Sequence, residues 1–566
     1  MQKRWTIKKH NHEEVKQLAK ALQVSPIAAA LLISRGYETV EKAQKFLNPS
    51  LEDLHEPYLL KDMKTAVYRI LKAVETGEKI LIWGDYDVDG TTGTVVLRKA
   101  LEILSAKTAF HIPHRFTEGY GLNQPMLEKA KERGYTLVVT VDCGIRSFEP
   151  LIWARENNLD VIITDHHLSD EANGTPPAVA VVNPNQPDDE YPDKNLAGVG
   201  VAFKLAHALL REKGKENLVK GFLKVVAIGT IADVMNLTGE NRAIVTVGLR
   251  DLPRAHNYGL KALMEAADCT GEMSSYDIGF RVAPRINAAG RMDAARHVVD
   301  LFEATDFDEA RSLAEMLNSR NRERQKVQQE ITQLAFLETK DITNKNFVVV
   351  AGENWHRGVI GLAASKIADK LYRPTIVLSI ENGIAHGSAR SIAGYHLLNG
   401  LDSCRDLFEQ YGGHSAAAGM KIKTENIHAL QEKLDAHASE NLSETDKTPE
   451  IKIDAIVSAP TLTLDLVKEL KRFEPFGMGN PRPKFVTKDL TLTHEPFVMK
   501  EKHLKLKLAD SSGKQFEAVW WDGVDKSKGQ TLNAKTRIEL AYTPEANTWN
   551  GNTRLQLVVE DLRSSD

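Results

Sequence analysis

The 566-residue sequence contains only three cysteines, Cys143, Cys269 and Cys404, which lie far apart and form no CxxC pair. This excludes a disulfide framework and a thiolate zinc site, and it is typical of a reducing compartment. The opening residues MQKRWTIKKHNHEE lack the apolar stretch of a signal peptide. No run approaches the roughly 18 apolar residues of a membrane span. We therefore expect a cytoplasmic protein with no membrane partner.

The sequence also lacks an excess of basic charge. Its net charge is −4, so a site for a polyanion such as nucleic acid has to be a local feature. Hydrophobic residues make up 42% and charged residues 27% of the chain, which is ordinary for a globular protein with a full core. At roughly 150 residues per domain, the length suggests about four domains.

Short runs rich in Val and Ile alternate with helical patterns from about Lys79 onwards. The runs are KILIWGD, TAFHIPH, TLVVTVD, DVIITD and AVAVVNP. This alternation predicts a parallel sheet covered by helices on both faces. Strand-period segments near the carboxyl end, such as KHLKLKLAD and KQFEAVWWDG, predict a hairpin within a small closed or half-open barrel of OB type.

The predicted fold class is therefore α/β with a carboxyl-terminal β-barrel. We expect a helical amino-terminal segment over 1–60, a parallel-sheet domain over 61–300, a long connecting helix over 301–342, a smaller α/β domain over 343–440 and an OB-like domain over 450–566. The helix prediction for 301–342 comes from apolar residues at helical spacing around a wholly polar centre, NSRNRERQK.

Acidic residues lie at the ends of the apolar runs, and one of them is followed by two histidines. They are Asp85, Asp87, Asp89, Asp142, Asp165, His166, His167 and Asp233. The carboxyl ends of parallel strands meet at one edge of a sheet, which is where open α/β sheets bind ligands. We expect these side chains to converge there, although the run before Asp233 favours helix over strand.

The spacing of the first three aspartates is that of an EF-hand loop, but the twelfth position from Asp85 is Val96 rather than the Glu that closes a calcium cage. Clustered carboxylates repel one another, and divalent cations relieve that repulsion. Oxygen ligands with some nitrogen suit Mn²⁺ or Mg²⁺ better than Zn²⁺. Two such ions would clamp a phosphate and activate water. The pattern thus indicates hydrolysis of a phosphate ester or anhydride; the alternative is that each Asp is only a helix N-cap.

The motifs DYDVDG, TVDCGI, TDHH and TIADV, in that order, resemble the four motifs of the DHH phosphoesterase family. GGHSAAAGM resembles the signature of the companion DHHA1 domain. RINAAGRM, HRGVIGLAASK, GSARS and PFGMGNPRP resemble the bacterial single-strand-specific DNA exonucleases of that family. The resemblance covers about residues 60–566. It implies a DHH catalytic domain joined by the long helix to a DHHA1 domain, followed by an OB-like barrel that binds nucleic acid.

The resemblance also implies the metal site. Two ions, Mn²⁺ or Mg²⁺, would be held by Asp87, Asp89, Asp142, His166 and Asp233, with Asp142 as the bridge. His167 completes the implied catalytic set and would lie near the scissile phosphate, while Asp85 would orient a ligand. Some family members carry a metal-binding His where this chain has Trp83. One ion is therefore expected to have fewer protein ligands.

Seven residues are expected to bind substrate phosphates: Arg115, Arg285, Arg291, Arg357, Ser388, Arg390 and His414. Arg115 follows the second strand at the ligand edge, and a guanidinium fork matches two phosphate oxygens. The resemblance implies the others, with Ser388 and Arg390 expected on a small-residue loop and His414 beside a glycine pair.

The barrel offers aromatic side chains on which bases could stack, namely Trp520, Trp521 and Trp549, with several lysines nearby. Alternate residues of a strand face opposite ways, so one of the adjacent pair Trp520 and Trp521 is expected to belong to the core. The barrel region is not basic overall, so its role in binding DNA rests on fold analogy.

The resemblance implies a 5′→3′ exonuclease that hydrolyses single-stranded DNA to 5′-mononucleotides in recombination and DNA repair. Its implied partners are single-stranded DNA with a 5′ end, single-strand-binding protein and a helicase. One alternative is a DHH/DHHA1 phosphodiesterase that acts on short oligonucleotides or cyclic dinucleotides, but such relatives are usually shorter and lack the barrel. Another is an inactive scaffold, but inactive relatives lose motif acids that are all present here.

Overall fold

The computed structural model describes residues 3–115, 117–170, 173–292, 294–339, 344–529 and 532–565. The chain forms two compact units. The larger comprises residues 12–321 and 468–482. The smaller comprises the described residues up to Asn11, those of 322–467 and those from Pro483 onwards. The predicted end of the connecting helix at residue 342 lies outside the described residues.

The strands of the described residues are, in chain order, β1 Arg4–Ile7, β2 Lys79–Gly84, β3 Lys107–His111, β4 Tyr135–Val141, β5 Asp160–Thr164, β6 Ala180–Val182, β7 Val348–Glu353, β8 Thr375–Glu381, β9 Ile384–Arg390, β10 Phe408–Gly413, β11 Ala417–Lys423, β12 Glu450–Ile453, β13 Ala455–Ile456, β14 Phe485–Leu492, β15 Phe497–Met499, β16 His503–Ala509, β17 Gln515–Trp520, β18 Arg537–Trp549 and β19 Asn552–Ser564.

The helices of eight residues or more are α1 His12–Leu22, α2 Pro26–Ser34, α3 Val40–Leu47, α4 Met63–Thr76, α5 Val88–Ile103, α6 Gln124–Glu132, α7 Phe148–Glu156, α8 Gly198–Glu212, α9 Leu223–Ala232, α10 Gly239–Asp251, α11 Tyr258–Ala266, α12 Ala283–Arg291, α13 Arg296–Glu303, α14 Phe307–Glu338, α15 Arg357–Leu371, α16 Ile427–Asn441 and α17 Leu464–Lys471. The shorter α- and π-helical segments are Ser275–Asp277, the π-helical turn Ile278–Val282, Leu397–Asp402 and Gly523–Lys526.

The larger unit is built on a five-stranded sheet in the order β3-β2-β4-β5-β6, in which every neighbouring pair is parallel. One face, with Ile82 and Val139, packs in a cluster with residues of α4 and α8. The other face, with Leu81 and Val138, packs against α6 and α7. Helices therefore cover both faces, and the predicted parallel α/β sheet is confirmed.

The segment LVKGFLKVVAIGTIADV forms a helical turn followed by α9, as expected, so Asp233 ends a helix. Its inclusion among the strand-end acids was wrong, because a short run rich in Val and Ile does not distinguish a strand from a buried helix. The predicted long helix is α14, which spans 32 residues, and the boundary between the two units falls within it.

The smaller unit contains a mixed sheet in the order β10-β11-β9-β8-β7, in which only β7 and β8 run parallel. Ser388 and Arg390 lie within β9, paired on both sides with β8 and β11. The expectation of a small-residue loop was therefore wrong. Close packing explains the glycine in this strand. A Cβ at Gly387 would come within 2.7 Å of the side chains of both Leu378 and Met420.

The carboxyl-terminal strands close into a barrel, because β14 pairs with both β18 and β16 and the remaining neighbours are β18-β19-β17-β16. The predicted hairpin of β16 and β17 is present. Trp520 is 1% exposed and Trp521 is 51% exposed, so one of the pair belongs to the core, as the strand alternation predicted.

The amino-terminal segment is helical in α1 to α3 but begins with a strand that the sequence did not reveal. β1 pairs in parallel with β12, with Arg4 opposite Glu450 and Ile7 opposite Ile453. Trp5 also donates a hydrogen bond from Nε1 to Oδ2 of Asp561, at 2.8 Å. Four residues are too few to show strand periodicity.

No single helix of the described residues has the length and apolar character to cross a membrane. The pair α1 and α2 passes that test together, but the two helices are bent by 111° relative to each other.

Candidate metal centre

Polar residues directly follow four strands of the parallel sheet. Asp85 follows β2, Asp142 follows β4, Asp165 follows β5 and Asn183 follows β6. All four therefore lie at the carboxyl edge of the sheet, where the sequence placed its ligand site. Asp85, Asp142, Asp165 and Asn183 are all buried.

Asp87 ends the loop that leads from β2 into α5, and Asp89 lies in the first turn of that helix. Asp87 is the N-cap of α5 and accepts a hydrogen bond from the amide of Gly90 at 3.0 Å, so the N-cap interpretation holds for this residue. The buried carboxylate of Asp89 accepts hydrogen bonds from the amides of Gly198 at 2.6 Å and Val199 at 2.8 Å. These amides open α8, and the helix dipole there favours a negative charge.

Three carboxylates converge on one imidazole nitrogen. The Nε2 atom of His166 lies 3.1 Å from Oδ1 of Asp142, 3.5 Å from Oδ2 of Asp233 and 3.7 Å from Oδ2 of Asp89. Ligand atoms of Asp89, His166 and Asp233 all lie within 4.8 Å of one another, as do those of Asp85, Asp87 and Asp142. These two groups are joined through Asp142.

Several polar atoms of this cluster lack a hydrogen-bond partner among the described residues. They are Oδ1 of Asp85, Oδ1 of Asp142 and Nε2 of His166, and all three atoms are buried. Buried polar atoms without a partner are costly and rare in folded proteins. A divalent cation would satisfy them, and mostly oxygen with one nitrogen is a donor set that suits Mn²⁺ or Mg²⁺. The residues present therefore fit the predicted ions.

The pKa values of the clustered residues also favour a bound cation. Burial and the neighbouring carboxylates raise the pKa of Asp89 to about 7 and that of Asp233 to about 9. The same causes hold the pKa of Asp142 well above its ordinary value. Burial and the nearby His167 lower the pKa of His166 to about 4. Without a cation the carboxyl groups thus retain protons, while the imidazole is neutral and able to act as a ligand.

His167 has a different environment from His166. Its Nδ1 donates to Oδ1 of Asp165 at 2.7 Å, and Oδ2 of Asp165 accepts from the amide of Ile145 at 3.0 Å. Burial opposes protonation, but the hydrogen bond and charge of Asp165 outweigh it and raise the pKa of His167 to about 9. The imidazole is therefore cationic at neutral pH and can face an anion.

The backbone holds Asp142 in a conformation that few residues adopt, with φ of +62°. Asp and Asn tolerate this left-handed region better than most residues. Gly198 lies against it, since a Cβ at that position would come within 2.6 Å of Cβ of Asp142. The loop after β4 and the start of α8 thus fix this carboxylate together.

Two predicted phosphate-binding arginines surround Tyr86, between Asp85 and Asp87. The guanidinium of Arg115 lies 4.9 Å from the centre of the Tyr86 ring. Arg291 ends α12, and its neighbour Gly290 packs so tightly that a Cβ there would lie 2.2 Å from the Tyr86 carbonyl oxygen. Arg285, six residues earlier, donates from Nε to Oδ1 of Asn318 at 3.1 Å.

The other four predicted phosphate-binding residues belong to the smaller unit. Arg357 opens α15 and donates from Nε to Oε1 of Glu381 at 2.9 Å. Arg390 donates from Nη1 to Oγ of Ser388 at 3.2 Å. His414 is exposed in the turn between β10 and β11.

Sequence reasoning missed three residues that support the histidines. The hydroxyl of Tyr120 donates to the Asp142 carbonyl oxygen at 3.0 Å and lies 3.2 Å from Nδ1 of His167. The amide groups of Asn183 and Asn185 donate to the carbonyl oxygens of His167 at 2.9 Å and His166 at 2.7 Å. The strand-end rule that found the aspartates would also have found Asn183.

Trp83, which stands where some family members have a metal-binding His, belongs to the core. It is fully buried on the face of the sheet that packs against α6 and α7, and its ring centre lies 4.5 Å from that of His111. This side chain therefore fills space beneath the site.

The chain matches three family models: the DHH family N-terminal domain over residues 79–230, the DHHA1 domain over 344–440 and the RecJ OB domain over 453–561. The fold and these matches define a protein of the DHH class with a carboxyl-terminal OB domain.

Curated relatives narrow that class. The chain is 40% identical to the single-stranded-DNA-specific exonuclease RecJ of Bacillus subtilis, over 100% of this chain and 71% of the relative. It is 31% identical to RecJ of Salmonella typhimurium, over 95% and 96%. The crystal structure of RecJ in complex with Mn²⁺ from Thermus thermophilus superposes with a TM-score of 0.85 at 31% identity, covering 100% of this chain and 80% of that one. The chain belongs to the RecJ family.

Proposed function

We propose that the protein is a metal-dependent exonuclease that hydrolyses single-stranded DNA. The observation that carries this proposal is the convergence of three carboxylates, those of the buried Asp89 and Asp142 and of the partly exposed Asp233, on Nε2 of His166. The RecJ relatives are named as single-stranded-DNA-specific exonucleases. The OB domain supports the same substrate, because OB folds commonly bind single strands.

In this proposal two divalent ions, Mn²⁺ or Mg²⁺, would be held by Asp87, Asp89, Asp142, His166 and Asp233, and Asp142 would serve both. When bound, such ions supply Lewis-acid stabilisation of the charge that develops on the scissile phosphate. Solved RecJ structures named as complexes with Mn²⁺ and with Mg²⁺ support this choice of metals.

His167 is proposed to contact the scissile phosphate as a cation. Asp165 accepts a hydrogen bond from Nδ1–H of His167. The Nε2–H of the imidazolium is then left to donate to a phosphate oxygen. Asp165 also accepts hydrogen bonds from the backbone amides of His166 and His167, so it fixes the backbone of both histidines and the ring of His167. Tyr120 adds a second restraint through its contact with Nδ1 of His167.

Arginines and small polar groups are proposed to hold the phosphates of the strand. Arg115, Arg285 and Arg291 would act in the larger unit, and Ser388, Arg390 and His414 in the smaller one. A guanidinium binds phosphate in a bidentate manner and stays charged at any physiological pH. Arg357 would have to exchange its ion pair with Glu381 for a phosphate. We therefore propose that it binds phosphate more weakly than the other arginines do.

The finer features of the activity are proposals of the same kind. We infer 5′→3′ polarity, release of 5′-mononucleotides and a role in recombination and DNA repair in the cytoplasm. We also infer cooperation with single-strand-binding protein and with a helicase that opens duplex. The domain limits of the sequence analysis are kept as proposals, with residues 61–300 as the catalytic domain and 450–566 as the DNA-binding barrel.

Digestion of end-labelled single and double strands tests the proposal. With Mn²⁺ or Mg²⁺ we expect a single strand with a labelled 5′ end to release labelled mononucleotide first, with little attack on blunt duplex and none with chelator present. Faster turnover of a dinucleotide than of a long strand would instead favour the phosphodiesterase alternative. Hydrolysis that persists in chelator would refute the metal assignment.

Asp142→Asn is the sharpest variant, because Asn also tolerates the positive φ of this position. It should lower hydrolysis by several orders of magnitude while sparing strand binding. Asp188→Asn is a matched control, since Asp188 is an exposed aspartate that also has a positive φ, +58°. The control should retain full activity. Equal activity of both variants would refute the assignment of Asp142.

A further inference from the structure

Two aromatic side chains in the larger unit are stacked on each other and exposed. Tyr276 is 54% exposed and Phe280 is 69% exposed. Their ring centroids lie 4.6 Å apart with an angle of 27° between the planes. Large apolar side chains that are exposed together commonly mark a binding surface. We call Tyr276 and Phe280 the aromatic pair.

The backbone beneath the aromatic pair is unusual. A capping box between Ser274 and Asp277 starts the helical segment, and the π-helical turn Ile278–Val282 then joins it to α12. Single π-helical turns are rare and are frequent at functional sites. Ile278 and Val282 are fully buried, so the turn anchors its apolar side in the core and leaves the aromatic pair on the surface.

This segment contacts two of the parts of the chain that carry candidate metal ligands. At one end, a Cβ on Gly279 would lie 3.7 Å from Cγ2 of Ile231, two residues before Asp233. At the other end, Gly290 packs on the carbonyl oxygen of Tyr86, between Asp85 and Asp87. The segment that carries the aromatic pair therefore contacts residues next to two of the candidate ligands, Asp233 and Asp87, on the same unit.

We propose that Tyr276 and Phe280 form a stacking platform for nucleobases of the substrate strand next to the metal centre. This inference rests on the proposed function. Every base has a π-face, so stacking on aromatic rings binds a strand without regard to its sequence, as a general exonuclease requires. Arg285 follows on the same segment and adds positive charge that attracts a strand, whereas the charge of Arg281 is paired with Asp277.

Alanine variants with matched controls test the platform. We expect Tyr276→Ala and Phe280→Ala each to raise KM for single-stranded DNA about 5- to 100-fold, the range that loss of one stacked base implies. kcat at saturation and the affinity for Mn²⁺ should stay within about 2-fold, because neither ring is placed among the metal ligands. Tyr276→Phe keeps the ring and should retain activity. Tyr68→Ala is the control, as Tyr68 is 71% exposed on α4 of the same unit.

Abasic substrates then identify what the rings contact. In the wild-type protein, removing the base at one or two positions near the cleaved end should weaken binding, and Phe280→Ala should abolish that penalty. If the penalty is the same in wild type and variant, or if both alanine variants bind as the wild type does, the platform is refuted. That result would leave Mn²⁺-dependent hydrolysis intact, whereas a wild-type protein without any hydrolysis would overturn the proposed function itself.

Discussion

The Nε2 atom of His166 and the Oδ1 atom of Asp142 are 3.1 Å apart, and neither has a hydrogen-bond partner among the described residues. Adjacent ligands of an octahedral cation with bonds of about 2.1 Å are separated by about 3.0 Å. The two atoms are therefore spaced as ligands of one ion. A bound cation would offset the energetic cost of burying these two polar atoms.

Divalent ions should stabilise the protein strongly. A ligand at 100 times its Kd adds about 2.7 kcal/mol to the free energy of unfolding of the state that binds it. We expect saturating Mn²⁺ to raise Tm by about 4 °C for each ion bound, relative to the protein in chelator, which thermal melts followed by circular dichroism would measure. An equal Tm in both conditions would contradict the account.

Asp142→Asn should separate stability from metal binding. Burial, Asp89 and the other nearby carboxylates raise the pKa of Asp142, so its ionisation costs free energy in the metal-free protein, and Asn carries no group that ionises. We therefore expect the variant in chelator to melt at or above the wild-type temperature, while the gain from Mn²⁺ falls to less than half. A variant that is less stable in chelator but gains as much from Mn²⁺ would show that the carboxylate is structural.

Gly198→Ala should disturb the site through packing alone. The new Cβ would lie 2.6 Å from Cβ and 2.7 Å from Oδ1 of Asp142, so the carboxylate has to move. We expect the affinity for Mn²⁺ to fall at least 10-fold by calorimetry, with a matching loss of hydrolysis. Gly221→Ala is the control, because a Cβ there meets nothing within 4 Å, and it should behave as wild type.

The two adjacent histidines should titrate far apart in the metal-free protein. His166 should stay neutral down to a pH of about 4 and His167 should stay protonated up to a pH of about 9. The raised pKa of His167 adds stability that is complete below the unfolded value of 6.5 and is lost as pH rises through 9. NMR titration of the ring protons measures both. Asp165→Asn should lower the pKa of His167, and an unchanged value would remove Asp165 as its cause.

The adjacent tryptophans of the barrel should differ in role. Trp520 is buried, so Trp520→Ala should destabilise the barrel by about 3–5 kcal/mol. Trp521 is half exposed and packs edge-on against His503, with ring centroids 4.9 Å apart. Trp521→Ala should change stability by less than about 0.5 kcal/mol and weaken binding of single-stranded DNA. Thermal melts measure stability, and fluorescence anisotropy with labelled strands measures binding. If neither variant binds single-stranded DNA more weakly than wild type, bases do not stack on these tryptophans.

The sequence revealed the sheet and most of the metal cluster, because both follow from local rules. Buried parallel strands read as runs of Val and Ile, and the residues after β2, β4 and β5 are acidic. Topology then brings those residues to one edge without any knowledge of distant contacts.

What the sequence did not reveal depends on long-range partners. The pairing of β1 with β12 joins residues more than 440 positions apart. The amides of Gly198 and Val199 that hold Asp89 lie over 100 residues from it. The placement of Ser388 and Arg390 in a strand depends on β8 and β11 on either side. Glycine and serine in GSARS suggested a loop locally, and the sheet overrode that preference.

Anomalous diffraction from crystals of the full chain grown with Mn²⁺ tests the central claim most directly. The account predicts manganese peaks within bonding distance of Oδ1 of Asp142 and Nε2 of His166, with Asp142→Asn crystals losing at least one peak. A map without manganese between these side chains, in crystals that hydrolyse single-stranded DNA when dissolved, would contradict it.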